Sequence, residues 1–239
     1  WCSGCNFRLA KKDLLVVFLL SLLRATTSFS LLIAYQNIAT GVASTIHFMY
    51  PLAVSLAMMF FFHEKKSLLV MLAVLMSLFG AALLSSGELE AKSGHTIVGL
   101  VAACISVFSY GGYIIGVRTT RAAQINSTVL TCYVMGMGAV LYLIGAMATF
   151  GLHLVTDGYI WLIILGLALP ATAISNITLV RAIKYAGPTL TSILGAMEPL
   201  TAVVIGVFVF KELFTLNSVI GILLILLAVG MVVFRKQKS

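Results

Sequence analysis

The sequence predicts an all-α, polytopic membrane protein, a bundle of eight transmembrane helices. Sixty-one per cent of the 239 residues are apolar and 9% are charged, and the mean hydropathy is +1.13. So few polar groups cannot cover the surface of a water-soluble protein. Eight apolar segments follow one another, each long enough to cross a hydrocarbon core of about 30 Å as a helix. The predicted spans are residues 13–35, 40–62, 67–87, 96–118, 127–150, 158–181, 188–210 and 215–234.

The basic residues give these spans a direction. The net charge is +8, and most Lys and Arg residues lie at the chain ends or in alternate connections. This side carries Arg8, Lys11, Lys12, Lys65, Lys66, Arg118, Arg121, Arg181, Lys184, Arg235, Lys236 and Lys238. The other side carries only Lys92 and Lys211. Because cytoplasmic loops are enriched in Lys and Arg, both ends of this chain are predicted to be cytoplasmic. No long basic face exists, so no nucleic-acid partner is expected.

A sequence repeat relates the second and third spans to the seventh and eighth. Met49–Leu52 reappears as Met197–Leu200, and His63-Glu64 corresponds to Lys211-Glu212, both at an offset of 148 residues. The first span then matches the sixth, while the fourth and fifth match nothing in this chain. The pattern predicts a ten-helix protein made of two five-helix halves.

The domain prediction follows from this repeat. Residues 1–92 are interpreted as the remaining three helices of the first half, and residues 93–239 as the complete second half. About 60 further residues, holding two more spans, are expected upstream. With an odd number of spans per half, equivalent helices cross the membrane in opposite directions. Such inverted repeats are typical of secondary transporters.

Two segments carry a resemblance to a known family. In Met49–Glu64 and in Ala196–Glu212, a helix of small residues is followed by Pro, an apolar run and Glu. Together with Ala182–Thr191 and the short loops, they resemble the EamA-type members of the drug/metabolite transporter superfamily. The resemblance implies ten helices, inverted halves, and export or exchange of small metabolites by alternating access. It does not identify the substrate.

Polar residues inside the spans are candidates for lining a substrate cavity. Arg24 and Glu198 lie near the centres of their spans, and His47 lies deep in the second. A charge at such depth costs roughly 2.5–3.5 kcal/mol and normally faces the bundle interior. Tyr50 shares a helix face with His47 and occupies the repeat position of Glu198, and Asn176 is a polar residue of the sixth span. The alternative interpretation is a structural ion pair or a satisfied core group.

Three prolines within the spans are candidate hinges. Pro51, Pro170 and Pro199 each interrupt helical hydrogen bonding, which bends a helix for gating or merely shapes the bundle. Glu198, next to one of them, leaves two mechanisms open. It is either a proton carrier or the partner of Arg24 in a gate or substrate clamp, and we favour the pair.

The sequence therefore favours a secondary transporter, an exporter or exchanger of small organic metabolites across the cytoplasmic membrane. No P-loop, metal-ligand cluster or catalytic motif is present in the sequence, so neither an enzyme nor a cofactor nor a metal is expected. A channel or scaffold is the alternative, with an intramembrane enzyme behind it. The expected partners are a small metabolite and the lipid bilayer, and a homodimer is left open.

Topology is testable with single cysteines at Asn37 and Lys184. We expect an impermeant thiol reagent added outside the cell to label position 37 and not position 184, because the charge bias puts Lys184 in the cytoplasm. Outside labelling at position 184 and not at position 37 would overturn the assignment.

Overall fold

The computed structural model describes residues 7, 9–38, 40–64, 67–85, 95–149, 157–195, 197–198, 201 and 216–237. These residues form helices, and the described part of the chain contains no strand. The α-helices are α1 Lys11–Asn37, α2 Thr40–His47, α3 Tyr50–Phe61, α4 Leu68–Ser85, α5 Thr96–Thr119, α6 Ser127–Thr149, α7 Gly158–Gly166, α8 Ser175–Ala186, α9 Pro188–Leu194 and α10 Leu216–Gln237. A 3₁₀ turn covers Arg121–Gln124, and a π-helical segment covers Leu167–Ile174.

The helices agree with the predicted spans and confirm a multi-pass helical membrane protein. Five helical stretches are long and apolar enough to cross a membrane: Lys11–Asn37, Val42–Phe61, Thr96–Thr119, Ser127–Gly145 and Gly158–Ala186. Two shorter apolar helices, Leu68–Gly80 and Val219–Met231, lie in the third and eighth predicted spans. The predicted span 188–210 is described mainly over its first eight residues.

The chain divides into two compact units. The first unit comprises residues 1–25 and 116–187, and the second comprises residues 26–115 and 188–239. Each unit therefore takes segments from both predicted repeats. The division of the sequence into residues 1–92 and 93–239 rests on the repeat pattern and stays a prediction.

Close packing of α4 on α10 organises the second unit. A β-carbon at Gly80 would lie 2.8 Å from the carbonyl oxygen of Gly221 and 2.8 Å from Ile225 Cγ1. Only a glycine lets the two helices approach this closely, which is the usual way membrane helices gain van der Waals contact. Ala73 and Ala228 continue the same core with buried small side chains.

The second predicted span is broken in the middle. Helix α2 ends at His47, and α3 begins at Tyr50, with Pro51 in its first turn. The Met49 N–H bonds the Ile46 carbonyl at 3.0 Å, a tighter turn than the α-helix makes. Since proline lacks an N–H, its carbonyl partner one turn earlier would be left unpaired in a continuous helix.

The helix of the seventh span breaks within one residue of the equivalent place. Helix α9 begins at Pro188, which is 148 residues after the first residue of α2, Thr40. It ends at Leu194, and Gly195 forms a turn shortly before Glu198. The sequence repeat is thus accompanied by a repeated interruption of the helix. Pro199, the third candidate hinge, lies outside the described residues.

The sixth span widens at its own proline. Pro170 lies inside the π-helical segment between α7 and α8. Because its ring and its missing N–H are incompatible with regular α-helical bonding, the backbone adopts a wider turn here. The Thr172 hydroxyl donates to the Leu167 carbonyl at 2.9 Å and so satisfies a backbone oxygen of this segment.

The Gly80 contact predicts that alanine substitution at two different glycines has different effects on stability. We expect Gly80→Ala to lower the free energy of unfolding by about 1–3 kcal/mol, because its methyl group would press on the Gly221 backbone. Gly136→Ala is the matched control, since nothing lies within 4 Å of a β-carbon there. Thermal midpoints of the purified proteins in detergent measure both. Equal midpoints for the two variants would contradict the close helix crossing.

Candidate functional site

Four ring side chains meet where α2, α3 and α5 come together in the second unit. We call His47, Tyr50, Tyr110 and Tyr113 the aromatic cluster. The His47 ring centroid lies 5.5 Å from those of both Tyr50 and Tyr110. Tyr50 and Tyr110 meet edge to face at 4.7 Å, and Tyr113 lies 6.4 Å from Tyr110. Such ring geometries are favourable and hold the side chains in defined orientations.

A serine from α5 orients the histidine. Ser106 is fully buried, and its hydroxyl donates to the Ala103 carbonyl at 2.6 Å. That bond uses its single hydrogen, so Ser106 Oγ accepts the 2.9 Å bond from His47 Nδ1–H. The neutral imidazole therefore carries its hydrogen on Nδ1.

Glu198 and Gly195 complete this site from the chain segment after α9. A β-carbon at Gly195 would overlap the Tyr50 hydroxyl and lie 3.0 Å from Tyr50 Cζ, so the phenol packs directly against the glycine. Glu198 interacts electrostatically with the same Tyr50. Tyr50 is 1% exposed, whereas Glu198 is exposed. The site thus consists of a buried aromatic wall and an accessible carboxylate.

A second group of polar side chains lies in the first unit. Arg24 Nη2 donates to Asn176 Oδ1 at 3.4 Å, and Asn176 Nδ2 donates to the Thr172 carbonyl at 2.7 Å. Thr172 belongs to the π-helical segment, so Asn176 connects Arg24 to that backbone. Tyr142 is distant from Arg24 in the sequence, but its hydroxyl donates at 3.2 Å to the carbonyl of Ala25, the residue that follows Arg24. The bond to Asn176 and the nearby Tyr142–Ala25 bond both belong to the first unit.

The structure brings the predicted site residues together in two groups. His47, Tyr50 and Glu198 lie in the second unit, and Arg24 and Asn176 lie in the first. The roles assigned to these residues stay predictions, as does the pairing of Arg24 with Glu198. Of the predicted hinges, Pro51 lies at a helix break and Pro170 within the π-helical segment.

Sequence analysis missed three members of the site. Ser106, Tyr110 and Tyr113 all belong to α5, the fourth predicted span. Their spacing of i, i+4 and i+7 places them on one face of a helix, and this polar stripe was available as a signal. None of these side chains is charged at neutral pH, so the stripe is a weaker sequence signal than Arg24 or Glu198.

The described residues give no indication of a metal centre. Within that part of the chain, no three His, Cys, Asp or Glu side chains lie together so that they would hold an ion. Cys104 and Cys132 are present as free thiols.

The fold and the site together define a class of protein. Apolar spans with a repeated helix break and ionisable side chains inside the membrane are typical of membrane transporters. Residues 97–234 match the EamA-like transporter family, which is more than half of the chain. The chain belongs to this family, and the resemblance to the drug/metabolite transporter superfamily is confirmed. It is therefore a multi-pass membrane transporter of a small molecule, and members of this family are typically not enzymes.

The fold is also found among solved structures. A crystal structure whose title reads only "Crystal structure of protein" is similar with a TM-score of 0.81. The similarity covers 98% of this chain and 80% of that one, at 18% sequence identity. At this identity the likeness concerns the fold alone. The comparison with curated proteins found no match.

The contact between Tyr50 and Gly195 gives a testable prediction. We expect Gly195→Ala to lower the thermal midpoint, with a cost of about 1–3 kcal/mol, because the new methyl group displaces the Tyr50 phenol. Adding Tyr50→Phe removes the overlapping hydroxyl and should restore part of the loss. Gly138→Ala, which has open space at its β-carbon, is the control. If Gly195→Ala is as stable as Gly138→Ala, the phenol does not pack on Gly195.

Proposed function

We propose that this protein is a secondary transporter that exports or exchanges a small organic metabolite across the cytoplasmic membrane by alternating access. Membership of the EamA-like transporter family carries the transport assignment. The location in the cytoplasmic membrane, with both described ends of the chain inside the cell, is supported by the bias of Lys and Arg.

Alternating access is supported by the repeated helix break. The interruptions after His47 and after Leu194 lie within one residue of equivalent positions of the sequence repeat. In transporters built from inverted repeats, discontinuous helices of this kind form the substrate site near the bilayer midplane. The backbone groups freed at each break can bond a substrate or rearrange during gating.

The aromatic cluster and Glu198 suit a substrate with an apolar or planar part and a hydrogen-bond donor. Aromatic faces hold apolar groups and attract cations, and a carboxylate accepts hydrogen bonds from ammonium, hydroxyl or amide groups. Glu198 is exposed whereas Tyr50 is buried, so the carboxylate is the more accessible of these two groups.

Arg24 supplies the opposite chemistry in its own unit. A guanidinium has five N–H donors, and the bond to Asn176 uses one of them. Its fork geometry suits a carboxylate or phosphate group. Asn176 acts as a positioning residue, because it bonds both Arg24 and the carbonyl of Thr172.

Two mechanisms for Glu198 make different predictions. If it carries protons, Glu198→Gln abolishes gradient-driven transport and leaves exchange largely intact. If Glu198 pairs with Arg24 as a gate or clamp, either Glu198→Gln or Arg24→Gln impairs both modes, because each leaves one charge alone inside the membrane. We expect the second pattern. Gradient-driven uptake and counterflow in proteoliposomes measure the two modes for both single variants and the double variant.

Two control variants make the result specific. Glu64→Gln removes a carboxylate from the same unit but keeps an oxygen to accept the 2.6 Å bond from the Thr189 hydroxyl. Arg121→Gln removes a surface guanidinium. Both should transport like the wild type. If Glu198→Gln, Arg24→Gln and the double variant also transport like the wild type, neither mechanism holds.

A first experiment identifies the substrate. Metabolites released from cells that express the full-length protein are compared with those released from cells that express the Glu198→Gln variant. A metabolite released only with the active protein is then tested for saturable counterflow. Transport without counterflow or saturation would favour a channel over a carrier.

A further inference from the structure

A concave, strongly basic surface lies in the first unit, and it shares no residue with the aromatic cluster. We call it the basic cleft. It has a volume of 590 Å³, and three cationic side chains line it: Arg118 at the end of α5, and Arg181 and Lys184 in the last turns of α8. No acidic residue is among the described residues that line it. The proposed transport mechanism uses none of these groups.

Hydrogen bonds hold two of the cations in place. Arg118 Nη1 donates to the Lys184 carbonyl at 2.5 Å, and Lys184 Nζ donates to the Ile125 carbonyl. These bonds join the end of α8 to the end of α5 and to the connection before α6. Arginine has five donors and lysine three, so each side chain keeps further N–H groups for a ligand. Arg181 is exposed at the rim.

The first turn of α6 borders the cleft from another direction. Asn126 and Ser127 line it, and Asn126 Oδ1 accepts from the Thr128 N–H at 2.9 Å as the cap of this 23-residue helix. The N-terminus of a helix carries partial positive charge. Three cations, a helix N-terminus and small polar groups therefore converge on one concavity, which is a donor set suited to a phosphate group.

Membrane topology explains why residues in these connections are basic, because cytoplasmic loops are enriched in Lys and Arg. It does not explain why three of them line the same cleft. Arg121, in the same connection, does not line the cleft. It thus represents the basic residues that topology alone explains.

The position of the cleft points to the source of the phosphate. Arg118 and Lys184 lie at the ends of the apolar stretches Thr96–Thr119 and Gly158–Ala186. Tyr185, which also lines the cleft, is 86% exposed, as is typical of aromatic residues at the headgroup level. A ligand in this cleft therefore lies at the depth of lipid headgroups. We propose that the basic cleft binds the phosphate headgroup of an anionic phospholipid.

Arg181→Gln is the variant that tests the cleft, and Arg121→Gln is its matched control. Arg181 is exposed, so its loss should leave the fold intact, whereas Arg118 is bonded across the cleft. Purified full-length protein is titrated with phosphatidylglycerol in mixed micelles, and binding is followed by native mass spectrometry and thermal midpoint. Phosphatidylcholine and inorganic phosphate are the comparison ligands.

We expect phosphatidylglycerol to bind and raise the thermal midpoint, Arg181→Gln to weaken binding about tenfold, and Arg121→Gln to leave it within about twofold. Binding should also weaken with added salt. Equal binding of phosphatidylcholine, or equal weakening by both variants, would overturn the cleft as the site. Stabilisation by inorganic phosphate as strong as by the lipid, and lost with Arg181→Gln, would overturn the lipid assignment in favour of a soluble phosphate ligand.

Discussion

The hydrogen-bonding demand of the backbone inside a lipid bilayer constrains every other feature of this protein. A peptide group in hydrocarbon finds no water, so a spanning helix can break only where other groups replace the lost bonds. The described residues show such breaks after His47, over Leu167–Ile174 and at Gly195. At each break a tighter turn, a hydroxyl or an amide supplies the replacement. The backbone irregularities and the polar side chains therefore occur together.

This coupling explains how ionisable residues are held within the membrane. Asn176 bonds both Arg24 and a carbonyl of the π-helical segment, and Ser106 accepts from His47 while donating to its own helix. Each neutral side chain thus satisfies the backbone and orients a titratable neighbour.

Glycine contributes close approach rather than flexibility at two places in the second unit. At Gly80 the absence of a side chain lets α4 meet the backbone of α10, and at Gly195 it leaves room for the phenol of Tyr50. The first contact stabilises the unit, and the second places the aromatic cluster beside Glu198. The absence of a side chain in glycine thereby serves both helix packing and the arrangement of the candidate site.

The sequence alone determined the spans, because bilayer thickness imposes a length on every apolar helix. It also singled out Arg24, His47 and Glu198, since a charge is rarely found in a span without a reason. It could not supply their surroundings. Nearly uniform apolar helices carry little sign of which face turns inward, so only the tertiary structure placed Ser106 and Tyr110 against His47. Nor could a single proline reveal the wider π-helical turn, in which Thr172 and Asn176 of the same span bond the carbonyls of Leu167 and Thr172.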